Sequence, residues 1–80
     1  MGETLQSPNT QQSYLQVLVG ILDLCREPQN RTQLICLTGI SLRRLHFYLK
    51  LLVKQKLVKF HRRKRTYVTT EKGLRFLRMH

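Results

Sequence analysis

Apolar residues recur along most of this chain at helical spacing, and the places where the period breaks mark the joints. Between residues 13 and 27, Tyr14, Val17, Leu18, Ile21, Leu24 and Cys25 form the stripe of an α-helix, which Pro28 ends. Leu15, Val19 and Leu22 make a second line on the same predicted helix. More than half of its girth is then apolar, which is more than a helix packed on one side requires. Asn30 and Gln33 have the spacing of a capping box and open a second helix, to which Leu34, Ile35, Leu37 and Ile40 contribute apolar surface. Gly39 is suited to the left-handed backbone that closes this helix, and Ser41 is placed to cap the next. In the helix predicted over 41–56, Leu45, Tyr48, Leu49 and Leu52 fall at i, i+3, i+4 and i+7, a buried stripe. Arg43, Phe47, Lys50 and Lys54 lie on the opposite side, about 120° or more away at about 100° per residue.

Beyond that helix the period shortens. Residues 57–60 and 66–69 are short and rich in β-branched and aromatic side chains, and residues 61–65, His-Arg-Arg-Lys-Arg, separate them. This predicts a β-hairpin with a strongly basic tip. Thr70 can cap a last helix, with Glu71 at its positive end and Arg75 and Arg78 at its negative one. Leu74 and Leu77 are predicted to face inward, while Phe76 and Met79 form a second apolar patch. Residues 1–12 are polar, contain Pro8 and show no period, so a flexible tail is expected there, ahead of one domain over 13–80. The fold class expected is mainly α with a small β-hairpin.

Eighty residues allow a single domain. A chain of this size buries only about 60% of its unfolded surface, so a partner subunit would add stability. The second apolar faces, Leu15, Val19 and Leu22 on the first helix and Phe76 and Met79 on the last, are therefore expected to meet across a two-fold axis in a homodimer. No apolar run reaches the length of a membrane span, and no basic-then-apolar leader opens the chain, so a cytoplasmic protein is expected.

Charge sharpens the picture. The formal net charge is +11, but residues 1–30 hold one cation, Arg26, against Glu3, Asp23 and Glu27, while residues 31–80 hold fourteen cations against Glu71 alone. So one-sided a distribution points to a polyanion, because each phosphate neutralised also releases condensed counterions. Like charges crowded on a hairpin tip repel one another, so Arg62, Arg63, Lys64 and Arg65 read as phosphate-binding groups.

The chemistry of catalysis is thinly represented. There are four acidic residues, no glycine-rich phosphate loop and no activated nucleophile, so no enzyme activity and no cofactor are expected. Asp23 and Glu27, at i and i+4, read as a solvated helix face. Cys25 and Cys36 sit among apolar neighbours as buried free thiols, without the paired spacing of a zinc site, and no metal or small-molecule ligand is expected.

The order helix, helix, turn, helix, basic hairpin, helix is that of a winged helix-turn-helix. The stretch LRRLHFYLKLLVKQKLVKF, followed by TYVTTEKGLRFL, resembles the archaeal winged helix-turn-helix DNA-binding regulators, a family that includes small chromosomal DNA-binding proteins. Its most specific segment is Thr69-Thr70-Glu71-Lys72-Gly73 behind Tyr67; the junction Lys56-Leu57 lacks the Gly that many relatives place there. The resemblance implies double-stranded DNA as partner, with the helix over 41–56 in the major groove and the wing over 61–65 on the backbone or minor groove. It also implies dimers built through terminal helices. On the recognition helix the expected DNA-facing residues are Ser41, Arg43, Arg44, Phe47, Lys50 and Lys54. Arg43 would meet either a guanine edge or a phosphate, Arg44 a phosphate, and Phe47 either a thymine methyl or the underside of the wing. A small dimeric transcription regulator in the nucleoid is the first expectation; an architectural chromatin protein and a protein-interaction winged helix are the alternatives.

Overall fold

The computed structural model describes residues 13–80; the expected tail at 1–12 lies outside the described residues. Four helices and one hairpin follow in the order α1 (Tyr14–Leu24), α2 (Arg31–Thr38), α3 (Leu42–Lys54), β1 (Val58–His61), β2 (Thr66–Thr69) and α4 (Glu71–Arg78). This is the winged helix-turn-helix order, mainly helical with a two-stranded antiparallel sheet.

Local side-chain chemistry starts every helix. Ser13 accepts the N–H of Gln16 at 3.1 Å while Gln16 Oε1 accepts that of Ser13 at 2.9 Å, a reciprocal cap on α1. Asn30 and Gln33 do the same for α2, both at 2.8 Å. Gly39 closes α2 at φ 74°, and two residues later Ser41 caps α3 by accepting from Arg44 N at 3.3 Å. The turn between the two helices is thus set locally, by the backbone of Gly39 and the side chain of Ser41.

Helix α3 ends at Lys54, two residues short of the expected boundary. Leu57 N donates to Leu52 O at 2.9 Å and Lys56 N to Val53 O at 3.0 Å, the paired bonds of a Schellman ending. Lys56, at φ 64°, occupies the left-handed position that glycine favours. Lys56 thus stands at the one place in this junction where a side chain is unwelcome.

Helix α1 also stops early, at Leu24 rather than near Glu27. Residues beyond it are taken by the hairpin: Cys25 O accepts from Thr69 N at 2.8 Å, and Gln29 exchanges both backbone bonds with Tyr67, at 3.2 and 2.8 Å. The Gln29 side chain turns back to donate to Leu24 O at 3.2 Å, capping the helix it follows. In the hairpin, Val58, Lys59, Phe60 and His61 pair with Thr69, Val68, Tyr67 and Thr66. His61 is accordingly a strand residue, and the tip is Arg62 to Arg65.

The core joins Val17, Leu18, Ile21, Leu22 and Cys25 of α1 and its end to Leu34, Ile40, the α3 stripe of Leu45, Tyr48, Leu49 and Leu52, and Val58. Leu22 is fully buried within one chain, so it is a core residue and not part of an exposed second face. Leu15 stays exposed and Val19 half-buried, as a second face requires. Cys36 is exposed, correcting the burial expected of it, and Leu37 leaves its apolar surface exposed as well. With α2 held down by Leu34, Cys36 lies two residues on, about 200° around the helix at about 100° per residue.

Helix α4 is rotated relative to expectation, and Gly73 explains why. A Cβ on Gly73 would lie 2.5 Å from Thr69 Cγ2 and closer still to Leu57 O, so this residue marks the point of nearest approach. Measured from Gly73 at about 100° per residue, Phe76 and Leu77 fall within about 60° of the inward direction and Leu74 about 100° away. Phe76 and Leu77 pack against the core accordingly. Phe76 is thus largely withdrawn from the outer patch, its ring 4.4 Å from that of His80, whereas Met79 is 79% exposed. A groove of about 740 Å³ between α1 and α4 is lined by Leu15, Val19, Gly20, Leu74 and Leu77, with Asp23, Arg26 and Arg78 among its rim.

Candidate nucleic-acid interface

Burying one side of α3 fixes what the other side presents. Because Leu45, Tyr48, Leu49 and Leu52 point into the core, Arg43, Phe47, Lys50 and Lys54 are all exposed on the outward face. Phe47 is 59% exposed, stands edge-to-face with Tyr48 at 5.6 Å between ring centroids, and is not among the residues that line the cleft between α3 and the wing. Ser41 is engaged as the helix cap. Arg44 leans to the flank: its Nη2 donates to Tyr48 Oη at 3.3 Å and its guanidinium carbon stands 5.9 Å from the centre of that ring. Such a contact pre-orders the side chain while leaving most of its donors open.

The wing supplies the second group. Arg62, Arg63, Lys64 and Arg65 form its turn and all are exposed, with Arg65 held at φ 53°. The ion pairs among the described residues, Arg26–Asp23 and Arg75–Glu71, involve neither the wing nor α3. Among the described residues, the cations of both elements therefore have no carboxylate partner.

Between the two elements lies a groove that the sequence reading did not identify. Phe60 and Tyr67, cross-strand partners with ring centroids 4.7 Å apart, stand on the hairpin face turned toward α3. With His46, Leu49, Lys50 and Val53 they line a cleft of about 210 Å³. The same two rings then border a wider depression of about 470 Å³, completed by Arg31, Arg62 and Arg65. A signal for this was present: alternation along the strands puts Val58, Phe60 and Arg62 on one face with Thr69, Tyr67 and Arg65. No comparable signal marks Arg31 or the Gln29 pairing, which depend on how α2 meets the hairpin.

The segment Thr69 to Gly73 anchors the wing. Thr69 Oγ1 donates to Leu22 O at 2.6 Å, and Thr70 Oγ1 reaches the carbonyls of Lys56 and Leu57 at 2.8 and 3.1 Å while accepting from Gly73 N at 3.1 Å. Two hydroxyls thus tie the hairpin's end to α1, to the end of α3 and to the start of α4. Burial raises the Cys25 thiol from 9.0 to about 12, which keeps it protonated and unreactive. Among the described residues no three His, Cys, Asp or Glu side chains gather to hold a metal.

No match is found among curated proteins or solved structures. The profile of the winged helix-turn-helix family, by contrast, matches residues 11–80. With the capped two-helix unit, the Schellman junction and the anchored basic wing all in that span, the chain belongs to the winged helix-turn-helix family.

Proposed function

We propose that this protein binds double-stranded DNA as a small dimeric transcription regulator of the nucleoid, entering the major groove with α3 and laying its wing on the backbone or into the minor groove. The observation that carries the reading is that the outward face of α3 and the wing present exposed cations, without a carboxylate partner among the described residues, and that Lys50 of α3 and Arg62 and Arg65 of the wing border the two hollows that share the Phe60–Tyr67 pair. Family membership supports DNA as the partner and a binding rather than a catalytic role. Arg43 and Phe47 are the side chains best placed for base edges, and a good bidentate guanine contact is worth about 1–3 kcal/mol of discrimination. Lys50, Lys54 and the wing cations suit phosphates, which position the protein and carry no sequence information directly.

For the dimer, the α1/α4 groove offers Leu15, Val19, Leu74 and Leu77 as an apolar floor, while Met79 stands exposed beyond it. Asp23 and Arg78 on its rim are opposite charges that an isologous contact can pair.

A second reading, an architectural chromatin protein, is favoured by the imbalance on the interface itself, where phosphate-type cations outnumber base-reading candidates. Fluorescence anisotropy with a random duplex of about 25 base pairs across a salt series tests the shared part: a slope of log K against log salt near −4 to −8 is expected, and no binding at low salt overturns both readings. Site selection then separates them, because a regulator prefers its site over random duplex by about 10³ or more.

A further inference from the structure

Arg31 occupies the first turn of α2, where a cation opposes the positive end of the helix dipole and where this helix has no acidic residue. Local electrostatics argues against an arginine there, and such a violation is most often tied to function. The depression beside it gives the reason. Arg31 from α2 and Arg62 and Arg65 from the wing border one concavity, with the Phe60–Tyr67 pair as its apolar wall. Three guanidinium-bearing residues border a shared space, none in an ion pair among the described residues, an arrangement that favours an anion between them. Arg65 is also held in the left-handed region, a strained position for a side-chain-bearing residue at the edge of that space.

We infer that Arg31, Arg62 and Arg65 form a clamp for a single DNA backbone phosphate at the junction of α2 and the wing, with Arg31 as a DNA-contacting residue outside the recognition helix and the wing. The inference rests on the DNA-binding reading and deepens it. A phosphate held there receives bidentate donors from two elements that are far apart in the sequence. The contact ties the wing's register on the duplex to where α2 sits. Backbone bonds between Gln29 and Tyr67, immediately before α2 and within β2, hold the two sides of the clamp at a fixed separation.

The test is a salt series with the random duplex on the unaltered protein, Arg31→Ala, Arg65→Ala, the triple change of Arg31, Arg62 and Arg65 to Ala, and Arg75→Ala as a cation outside the site. Neutralising one phosphate contributes about 0.9 to the slope of log K against log salt, so removing it lowers affinity about eightfold at 0.1 M salt relative to 1 M. A shared phosphate predicts that Arg31→Ala lowers affinity, that the triple change lowers the slope by about 0.9 in all, and that Arg75→Ala changes neither. Thermal stability of Arg31→Ala should hold or rise, because the unfavourable dipole contact is removed, and this separates binding loss from misfolding. A slope loss of about 1.8 or more for the triple change means separate phosphates and overturns the clamp, as does Arg31→Ala binding like the unaltered protein. If the unaltered protein itself fails to bind duplex, the DNA-binding reading falls and the clamp with it.

Discussion

The hydroxyl of Thr69 donates to the carbonyl of Leu22 across a separation of 47 residues, at 2.6 Å, in a setting where both groups are buried. That bond fixes the last residue of β2 against the middle of the core, and the wing is the part of the hairpin that projects beyond it. Replacing Thr69 with Val keeps the shape and removes the donor. Leu22 O then loses its side-chain partner, and a loss of about 1–3 kcal/mol is expected, read as a fall in Tm. Should Tm hold within about 1 °C, Leu22 O has another partner and the anchoring role assigned to Thr69 is wrong.

Gly73 and Gly20 should respond to alanine with opposite signs. At Gly73 the new methyl group meets Leu57 O and Thr69 Cγ2, backbone and buried side chain that have little room to move. Overpacking of this kind costs about 1–3 kcal/mol. At Gly20, inside α1, a Cβ meets nothing within 4 Å, so Gly20→Ala gains helix propensity of about 0.5–1 kcal/mol. Denaturant midpoints of the two variants, compared with the unaltered protein, check both signs in one experiment.

Lys56 offers a stabilising change of a different origin. It holds the left-handed position of the Schellman ending, where a side chain is strained by roughly 1 kcal/mol. Lys56→Gly removes the strain and loosens the unfolded chain, so a net gain of about 0.5 kcal/mol is expected, while Lys56→Val, β-branched, should destabilise. Differential scanning calorimetry of both variants checks the ordering Gly above Lys above Val.

What the sequence disclosed and what it hid divide along one physical line. The two-helix unit was legible because its determinants are local: Asn30 and Gln33 cap each other, Gly39 turns its own backbone, Ser41 caps the next helix, and the Leu45–Leu52 stripe is a matter of spacing. The outward cations of α3 and the wing turn followed from the same periodicities. Errors came where a distant element decides. The early end of α1 reflects Thr69 and Tyr67 competing for the backbone of Cys25 and Gln29, and the rotation of α4 reflects Leu57 pressing on Gly73. Leu22 was placed outside for the same reason, since a doubly apolar helix does not reveal which line the rest of the chain will cover. Arg31, a lone cation opening a polar helix, carries no periodic signal at all.

The two cysteines should differ sharply in reactivity. Cys36 is exposed and Cys25 buried, with its thiol raised from 9.0 to about 12 by desolvation. At pH 8 a thiol reagent is expected to label Cys36 quickly and Cys25 only on unfolding. The sign of the linked pH effect follows from where the proton is held. Native Cys25 keeps its proton in the range where the unfolded thiol has lost it, so its contribution to stability is fully present below pH 9 and is lost progressively as pH rises toward 12. Cys25→Ala leaves a small cavity but should flatten that alkaline decline, and an unchanged decline would assign it to other groups.

A dimer through the α1/α4 groove makes a prediction that separates interface from core. Leu74→Glu places a charge in the groove floor at a half-buried position, so the folded chain should persist, with an unchanged circular dichroism spectrum, while its mass in solution falls from two copies to one. Leu15→Glu, on the facing helix, should do the same. Leu22→Glu, from the same apolar line as Leu15, should instead abolish folding, because it buries an unpaired carboxylate among Ile21, Leu45 and Leu49. Light scattering with size-exclusion chromatography reads the first two and circular dichroism the third. If the unaltered protein runs as a monomer at about 100 μM, the groove serves some other purpose and the dimer is withdrawn. If it runs as a dimer that Leu74→Glu leaves intact, the contact lies elsewhere, and the exposed Met79 at the end of α4 is where the next charge should go.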